Sequence, residues 1–338
     1  MKSKTIKEIF AFLITALLLV VFVMTASSVL MPKRANYGAT WPYFAKEADN
    51  SLDVMFFGSS MTYCDVIPAK IWESSGLSAY DMAGPEQTIP ISYYYLREST
   101  LNQKPKMIFL ELTGMFFEEY QKFTKVNIGY MPWGKNRLDA SRDAAEKAEL
   151  PGLFFPPYNY HSRWDELEGA DLKLGLKGFP ADDLAGYTVL ITAEAQGEAC
   201  PREEVAHKEN YNKNLEYLQK IADYCKERDI KPVFYIAPSS KRLSETNLAQ
   251  LKRDVSKING VDFFDFNEKT EELGLDSSLD YYDNLHLNFR GAEKFSSYLG
   301  KLLKDEYGLK PATGTDSGLW RERLDFYNKL IADLLKTL

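Results

Sequence analysis

Leu52-Asp53-Val54-Met55-Phe56-Phe57-Gly58-Ser59-Ser60 is a short apolar run, stopped by a glycine and followed at once by two hydroxyls. A run that short with little alternation reads as a strand buried on both faces, as in parallel sheets. The same pattern repeats outward from it. Pro68 to Ser75 reads as helix, and Leu77 to Met82 as a second strand ending at Ala83-Gly84. Ile91 to Asn102 reads as helix. Lys106 to Leu112 is the clearest strand of this half, bounded by Pro105 and Gly114. From Met115 to about Val205 the regularity breaks, apart from a charged helix near Asp139 to Glu149. It then returns with a helix over Asn212 to Arg228 and a strand over Pro232 to Ala237. A helix N-capped by Ser244 runs to Ile258, Val261 to Phe266 is a last strand, and Arg290 to Lys304 is a closing helix. Such alternation predicts an α/β fold: a three-layer, doubly wound parallel sheet of the flavodoxin-like kind, carrying a long irregular insertion.

The N-terminus sets the compartment. Lys2, Lys4 and Lys7 precede an uncharged apolar run from Ile9 to Leu30. About 20 such residues at ~1.5 Å each cross a bilayer core, whereas the apolar cores of signal peptides are about 7–15 residues long. The expectation is an uncleaved transmembrane signal anchor, with Ala26-Ser27-Ser28 as the competing cleavage site. Lys33 and Arg34 follow the span, so the basic bias is slight; the N-terminus is expected in the cytoplasm and the bulk outside. Three parts follow: a cytoplasmic tail and anchor over 1–34, the α/β domain over 35–310 with its insertion at about 115–205, and an amphipathic packing helix within 311–338, after a loop from Pro311 to Gly318.

Of the 338 residues, 45% are hydrophobic and 26% charged, an ordinary folded composition, and the net charge is -7 with no basic stripe. That balance argues against a nucleic-acid partner. The 21 tyrosines suit a carbohydrate-facing groove, or equally core edges and interfaces. Cys64, Cys200 and Cys225 form no metal pattern, leaving room for one bridge and a spare thiol. Three scattered histidines, His161, His207 and His286, make no metal site, and no cofactor is expected.

In open α/β sheets, sites gather beyond the carboxyl ends of the strands. Ser59-Ser60 follows the first strand, Gly84 the second and Thr113-Gly114 the third. Asp283 and His286, in Tyr282-Asp283-Asn284-Leu285-His286-Leu287-Asn288, follow the last. Together they offer a hydroxyl nucleophile, a general base and a carboxylate to orient that base, the parts of serine acyl-transfer chemistry. Ser60 is the expected nucleophile, with Ser59 as the competing choice.

On these residues the chain resembles the SGNH (GDSL-like) hydrolase superfamily. The likeness is to its membrane-anchored bacterial branch, that of the D-alanine transfer protein of lipoteichoic acid synthesis. It spans roughly residues 50–125 and 205–305. Gly58-Ser59-Ser60 matches the Gly-Asp-Ser block, Gly84 the second-block glycine, and Asp283 with His286 the Asp-x-x-His block. The resemblance implies Ser60 as nucleophile, His286 as base, Asp283 as its orienting acid, and backbone N–H groups of Ser60 and Gly84 in the oxyanion hole. The third block normally adds an asparagine side chain. Here Leu110-Glu111-Leu112-Thr113-Gly114 stands in its place, and Thr113, Gln87 or a backbone N–H is expected to substitute. Loss of one such donor costs about 2.7–4 kcal/mol of transition-state stabilisation, which suits a transferase better than a fast hydrolase.

The insertion holds Tyr158-Asn159-Tyr160-His161-Ser162-Arg163-Trp164, in which His161 and Arg163 are candidate substrate contacts, or a loop packed by its own aromatics and a surface ion pair. Glu111 either approaches the triad or serves a cap or ion pair. Cys64 and Asp65 read as structural, and His207 as exposed.

Two functions follow. One is an extracytoplasmic esterase or O-acyltransferase acting on acyl (acetyl being the first choice) esters of an envelope polysaccharide or teichoic polymer, beside a membrane-bound O-acyltransferase partner. The other is a non-catalytic module that binds or scaffolds envelope glycans. The Gly-x-Ser-x-Gly elbow of ordinary lipases is absent around Ser60.

Overall fold

The computed structural model describes residues 2–33, 40–201, 208–312 and 315–338. Five strands form one all-parallel sheet: β1 (Val54–Gly58), β2 (Ala79–Ala83), β3 (Met107–Glu111), β4 (Lys231–Ile236) and β5 (Asp262–Asp265), in the order β2-β1-β3-β4-β5. The expected α/β class is the one found. Every residue of β1, β2 and β3 is buried, which is why β1 and most of β3 read as apolar runs rather than alternating ones, while β2 buries Asp81 at its centre.

Successive residues point to opposite faces of the sheet. Val54, Phe56, Met107, Phe109, Val233 and Tyr235 share one core cluster with Ile71, Phe295, Leu299 and Tyr327. Those partners come from helices α2 (Pro68–Ser75), α6 (Phe289–Lys301) and α7 (Ser317–Leu335), of which α6 and α7 both pack on α2. The alternate residues Met55, Phe57, Ile108, Leu110 and Phe234 are equally buried. Helix α3 (Ile89–Ser99) packs on β1, helix α4 (Lys208–Glu227) packs on β4, and the two pack on each other. Helix α5 (Glu245–Val255) is capped by the Ser244 hydroxyl, which accepts from Asn247 N–H at 3.2 Å.

The C-terminal helix is a packing helix, as its amphipathic pattern suggests, with Trp320, Arg323, Tyr327 and Ile331 buried. The stretch before it, expected as a loop, is tied down where it is described. The buried Asp53 carboxylate accepts from Ala312 N–H at 2.8 Å and from the Thr315 hydroxyl at 3.1 Å.

The chain divides into two compact units: residues 35–145 with 181–338, which hold the sheet, and residues 1–34 with 146–180. The expected single insertion is therefore split between them. The charged helix expected at 139–149 is helical over Lys135–Ala144 instead, because the backbone turns extended at Ala145. In the smaller unit, helix α1 (Lys2–Leu30) contains a 26-residue stretch, Thr5–Leu30, long and apolar enough to span a membrane.

Candidate active site

Chain order in the sheet reverses between β1 and β3. From β1 the chain steps outward to β2, then returns to β3 on the other side of β1. Crevices at such switch points are where open α/β sheets bind ligands. Ser60 leaves the end of β1 and starts the one-turn helix Ser60–Tyr63, so its N–H lies in a first turn, where a backbone donor has no partner within the helix. The turn needs Gly58. Its φ is +146°, and a Cβ there would meet Thr62 Oγ1 at 2.5 Å and Glu111 Cβ at 2.7 Å.

The His286 segment reaches this turn from the far end of the sequence. Asp283 Oδ1 accepts from the backbone N–H groups of Leu285 (2.7 Å) and His286 (2.8 Å), an Asx turn that fixes the loop. The same carboxylate faces His286 Nδ1 with both oxygens at 3.0 Å. His286 Nε2 lies 2.8 Å from Ser60 Oγ. With Nδ1–H donated to Asp283, the Nε2 lone pair faces Ser60 Oγ, the tautomer that a general base would require. Burial alone would raise the Asp283 carboxyl. The hydrogen bond and charge of His286 and the two backbone N–H groups outweigh it, and the group rests below the usual carboxylate range. Ser59 is 2% exposed, whereas Ser60 is half-buried.

Asp65 ties the two halves together. Fully buried just past the Ser60–Tyr63 helix, it accepts from Leu287 N–H at 2.9 Å, one residue beyond His286. Burial pushes its carboxyl well above the usual range, and the charges of Asp283 and Glu111 add to that push against the Leu287 N–H. Cys64 beside it is driven up by burial as well, so it is a poor nucleophile. All three cysteines are free, so the bridge left open by the sequence does not form.

The expected oxyanion donors are arranged differently. Thr113 directs both its N–H (2.9 Å) and its hydroxyl to Glu111 Oε1. Its hydroxyl therefore does not stand in for the missing asparagine, because a buried carboxylate two residues back takes both donors. Gln87 is buried, and its amide donates to Met82 C=O (3.3 Å) and Ser92 Oγ (3.0 Å), so it positions the loop after β2 instead of reaching a ligand. The Gly84 N–H points at Gly58 C=O over a long 3.3 Å. Against Gly84 lies a residue the sequence did not single out. Asn127 is fully buried, and its Oδ1 would sit 2.1 Å from a Cβ at position 84. Asn127 donates through Nδ2 to Pro85 C=O at 3.0 Å, bracing the second-block turn. No sequence motif marks it, because it comes from the irregular region.

His161 and Arg163 belong to the smaller unit and bond within it. His161 Nδ1 contacts Tyr158 C=O at 2.9 Å. Arg163 donates to Leu30 C=O and pairs with Asp171 at 3.3 Å. Arg163, read from the sequence as a substrate contact or an ion-pair partner, thus caps the end of α1 and pairs with Asp171. His207 lies outside the described residues. Among the described residues no group of three or more His, Cys, Asp or Glu side chains is disposed to hold a metal.

No protein-family model matches the chain, and no curated protein matches it. Among solved structures it is similar to a candidate acylhydrolase from Bacteroides fragilis, with a TM-score of 0.40 and 11% identity, covering 82% of this chain and 99% of that one. That likeness is too distant to assign residues, so the reading of the site rests on its own geometry.

Proposed function

We propose that the chain is a membrane-anchored, extracytoplasmic serine esterase or O-acyltransferase of the SGNH type. Its substrates are acyl, first of all acetyl, esters on an envelope polysaccharide or teichoic polymer. The observation that carries the reading is the 2.8 Å approach of His286 Nε2 to Ser60 Oγ, with His286 Nδ1 held by Asp283. In the proposed reaction Ser60 Oγ attacks the ester carbonyl while His286 Nε2 takes its proton. The tetrahedral oxyanion is met by the Ser60 N–H and by the Gly84 N–H, which exchanges its long 3.3 Å bond to Gly58 C=O for it. Collapse breaks the ester C–O bond, the departing alkoxide takes from His286 the proton that came from Ser60 and leaves as the alcohol, and an acyl-serine remains. A sugar hydroxyl or water, deprotonated by His286, then attacks that ester and frees Ser60. Asp283 keeps the imidazole in the accepting tautomer and stabilises imidazolium.

The commitment of both Thr113 donors to Glu111 leaves a thin oxyanion hole. This favours slow hydrolysis and transfer to a carbohydrate acceptor, beside a membrane-bound O-acyltransferase as donor partner. It equally favours the second reading, a glycan-binding module of the same fold. The anchor reading draws support from Ser27, which is 8% exposed where residues 146–180 cover α1; cleavage at Ala26-Ser27-Ser28 would strip away a packed surface.

The test uses the full chain in detergent with a fluorophosphonate probe and with p-nitrophenyl acetate. Labelling and acetyl release are expected to vanish in Ser60→Ala and His286→Ala and to persist in Ser59→Ala. A wild-type chain that neither labels nor turns over faster than Ser60→Ala would leave the binding module as the reading.

A further inference from the structure

The smaller unit is built around one end of α1. From Thr5 to Phe22 the helix is almost wholly exposed, a bare length of about 27 Å at ~1.5 Å per residue. That is close to the ~30 Å hydrocarbon thickness of a bilayer. From Val23 onward the helix is partly covered, by Pro156–Tyr160 and Gly169–Lys177, with Ser27 buried and Gly175 lying against Val29. The collar is locked by polar contacts at the helix end. Arg163 donates to the Leu30 carbonyl, one of the orphan acceptors that end every helix. Asp171, 7% exposed, pairs with Arg163 at 3.3 Å and faces Lys33 at 3.9 Å. Lys33 in turn donates to Val29 C=O at 3.0 Å, and burial lowers its ammonium to about 8.

Yet the collar leaves large apolar side chains in the open. Trp164 is 72% exposed, Leu176 64%, Tyr158 61%, Phe154 and Phe155 49% each, and Leu172 48%. Six such groups within 23 residues (154–176) are far more than the single exposed apolar residues normal on a soluble surface. Tryptophan and tyrosine are also the residues that settle at headgroup level.

We infer that residues 146–180 form an interfacial collar whose exposed aromatic and leucine side chains enter the headgroup–acyl boundary of the bilayer that α1 crosses. The occupant is lipid, and the reason is continuity: the segment that carries these side chains is clamped to α1 where its bare, membrane-length stretch ends. The collar sets the height of that end relative to the lipid surface and holds α1 against piston-like movement.

The inference rests on the anchor reading, so its test separates the two. The full chain, with Cys200→Ser as background because Cys64 and Cys225 are buried, is reconstituted alone in phospholipid nanodiscs. Single spin labels are placed by Phe12→Cys, Tyr158→Cys, Trp164→Cys and Leu176→Cys. Accessibility to oxygen, which partitions into lipid, is compared with accessibility to a water-soluble nickel chelate. Oxygen exceeding chelate several-fold at position 12, and by a smaller margin at 158, 164 and 176, is the expected result. A lipid-buried position 12 with chelate-accessible collar positions would overturn the inference and leave the anchor standing. Collar labels shielded from both reagents would mean that protein covers the face, which also overturns it. Chelate access at position 12 would remove the anchor and the collar's role together.

Discussion

Asp283→Asn isolates the orienting role from the folding role of one side chain. In the wild type Asp283 accepts three N–H groups, two of them backbone donors that both bind Oδ1. An asparagine keeps an oxygen for the backbone pair, so the loop and the melting temperature should hold. The other oxygen becomes an NH2 group, a donor facing His286 Nδ1. That favours the tautomer with its proton on Nε2, which meets Ser60 Oγ with no lone pair to offer. Where the acid is buried, such a change costs about 10⁴ in turnover. Here the Asp283 side chain is 37% exposed, so water and ring rotation soften the penalty. A charge-assisted hydrogen bond is worth about 1.5–3 kcal/mol. At ~1.36 kcal/mol per tenfold, that is a slowing of roughly 10- to 150-fold. The assay is the second-order rate of fluorophosphonate labelling at Ser60, which needs no knowledge of the natural ester, read beside a thermal melt. Labelling within threefold of wild type on a chain with an unchanged melt would refute the orienting role of Asp283.

Asp65→Asn should change how stability depends on pH. The Asp65 carboxyl is raised on folding, so its favourable contribution is complete below its unfolded value near ~3.9 and is lost as pH rises through the folded value. The variant should lose less stability than wild type in denaturant titrations between pH 4 and 7; parallel curves would count against a raised Asp65. Phe295→Ala removes a fully buried ring lying 4.9 Å edge-on to Phe266, and should cost about 3–5 kcal/mol by chemical denaturation. A cost under about 1 kcal/mol would mean that the α6 face of the sheet is not closely packed.

The sequence alone determined the strands and their class. β1, β2 and β3 are buried on both faces, and the short, mainly apolar runs of β1 and β3 are a local signal of that, whereas β2 carries the buried Asp81 in its middle. It also placed Asp283 and His286 together, because an Asx turn closes over three residues and needs nothing from elsewhere. That the pair would meet Ser60 was only a suggestion of chain order at the sheet edge; the 2.8 Å contact depends on the strand order β2-β1-β3-β4-β5 and on Asp65 holding Leu287. The oxyanion surroundings were decided wholly in three dimensions. Whether Thr113 faces a ligand or Glu111, and whether Asn127 lies against Gly84, turns on which polar groups are left to be satisfied once the core closes. The pairing of residues 146–180 with α1 was hidden for the same reason. Arg163 looks like a ligand contact as long as the Leu30 carbonyl, 133 residues away, is unknown, and no local pattern encodes a contact across that separation.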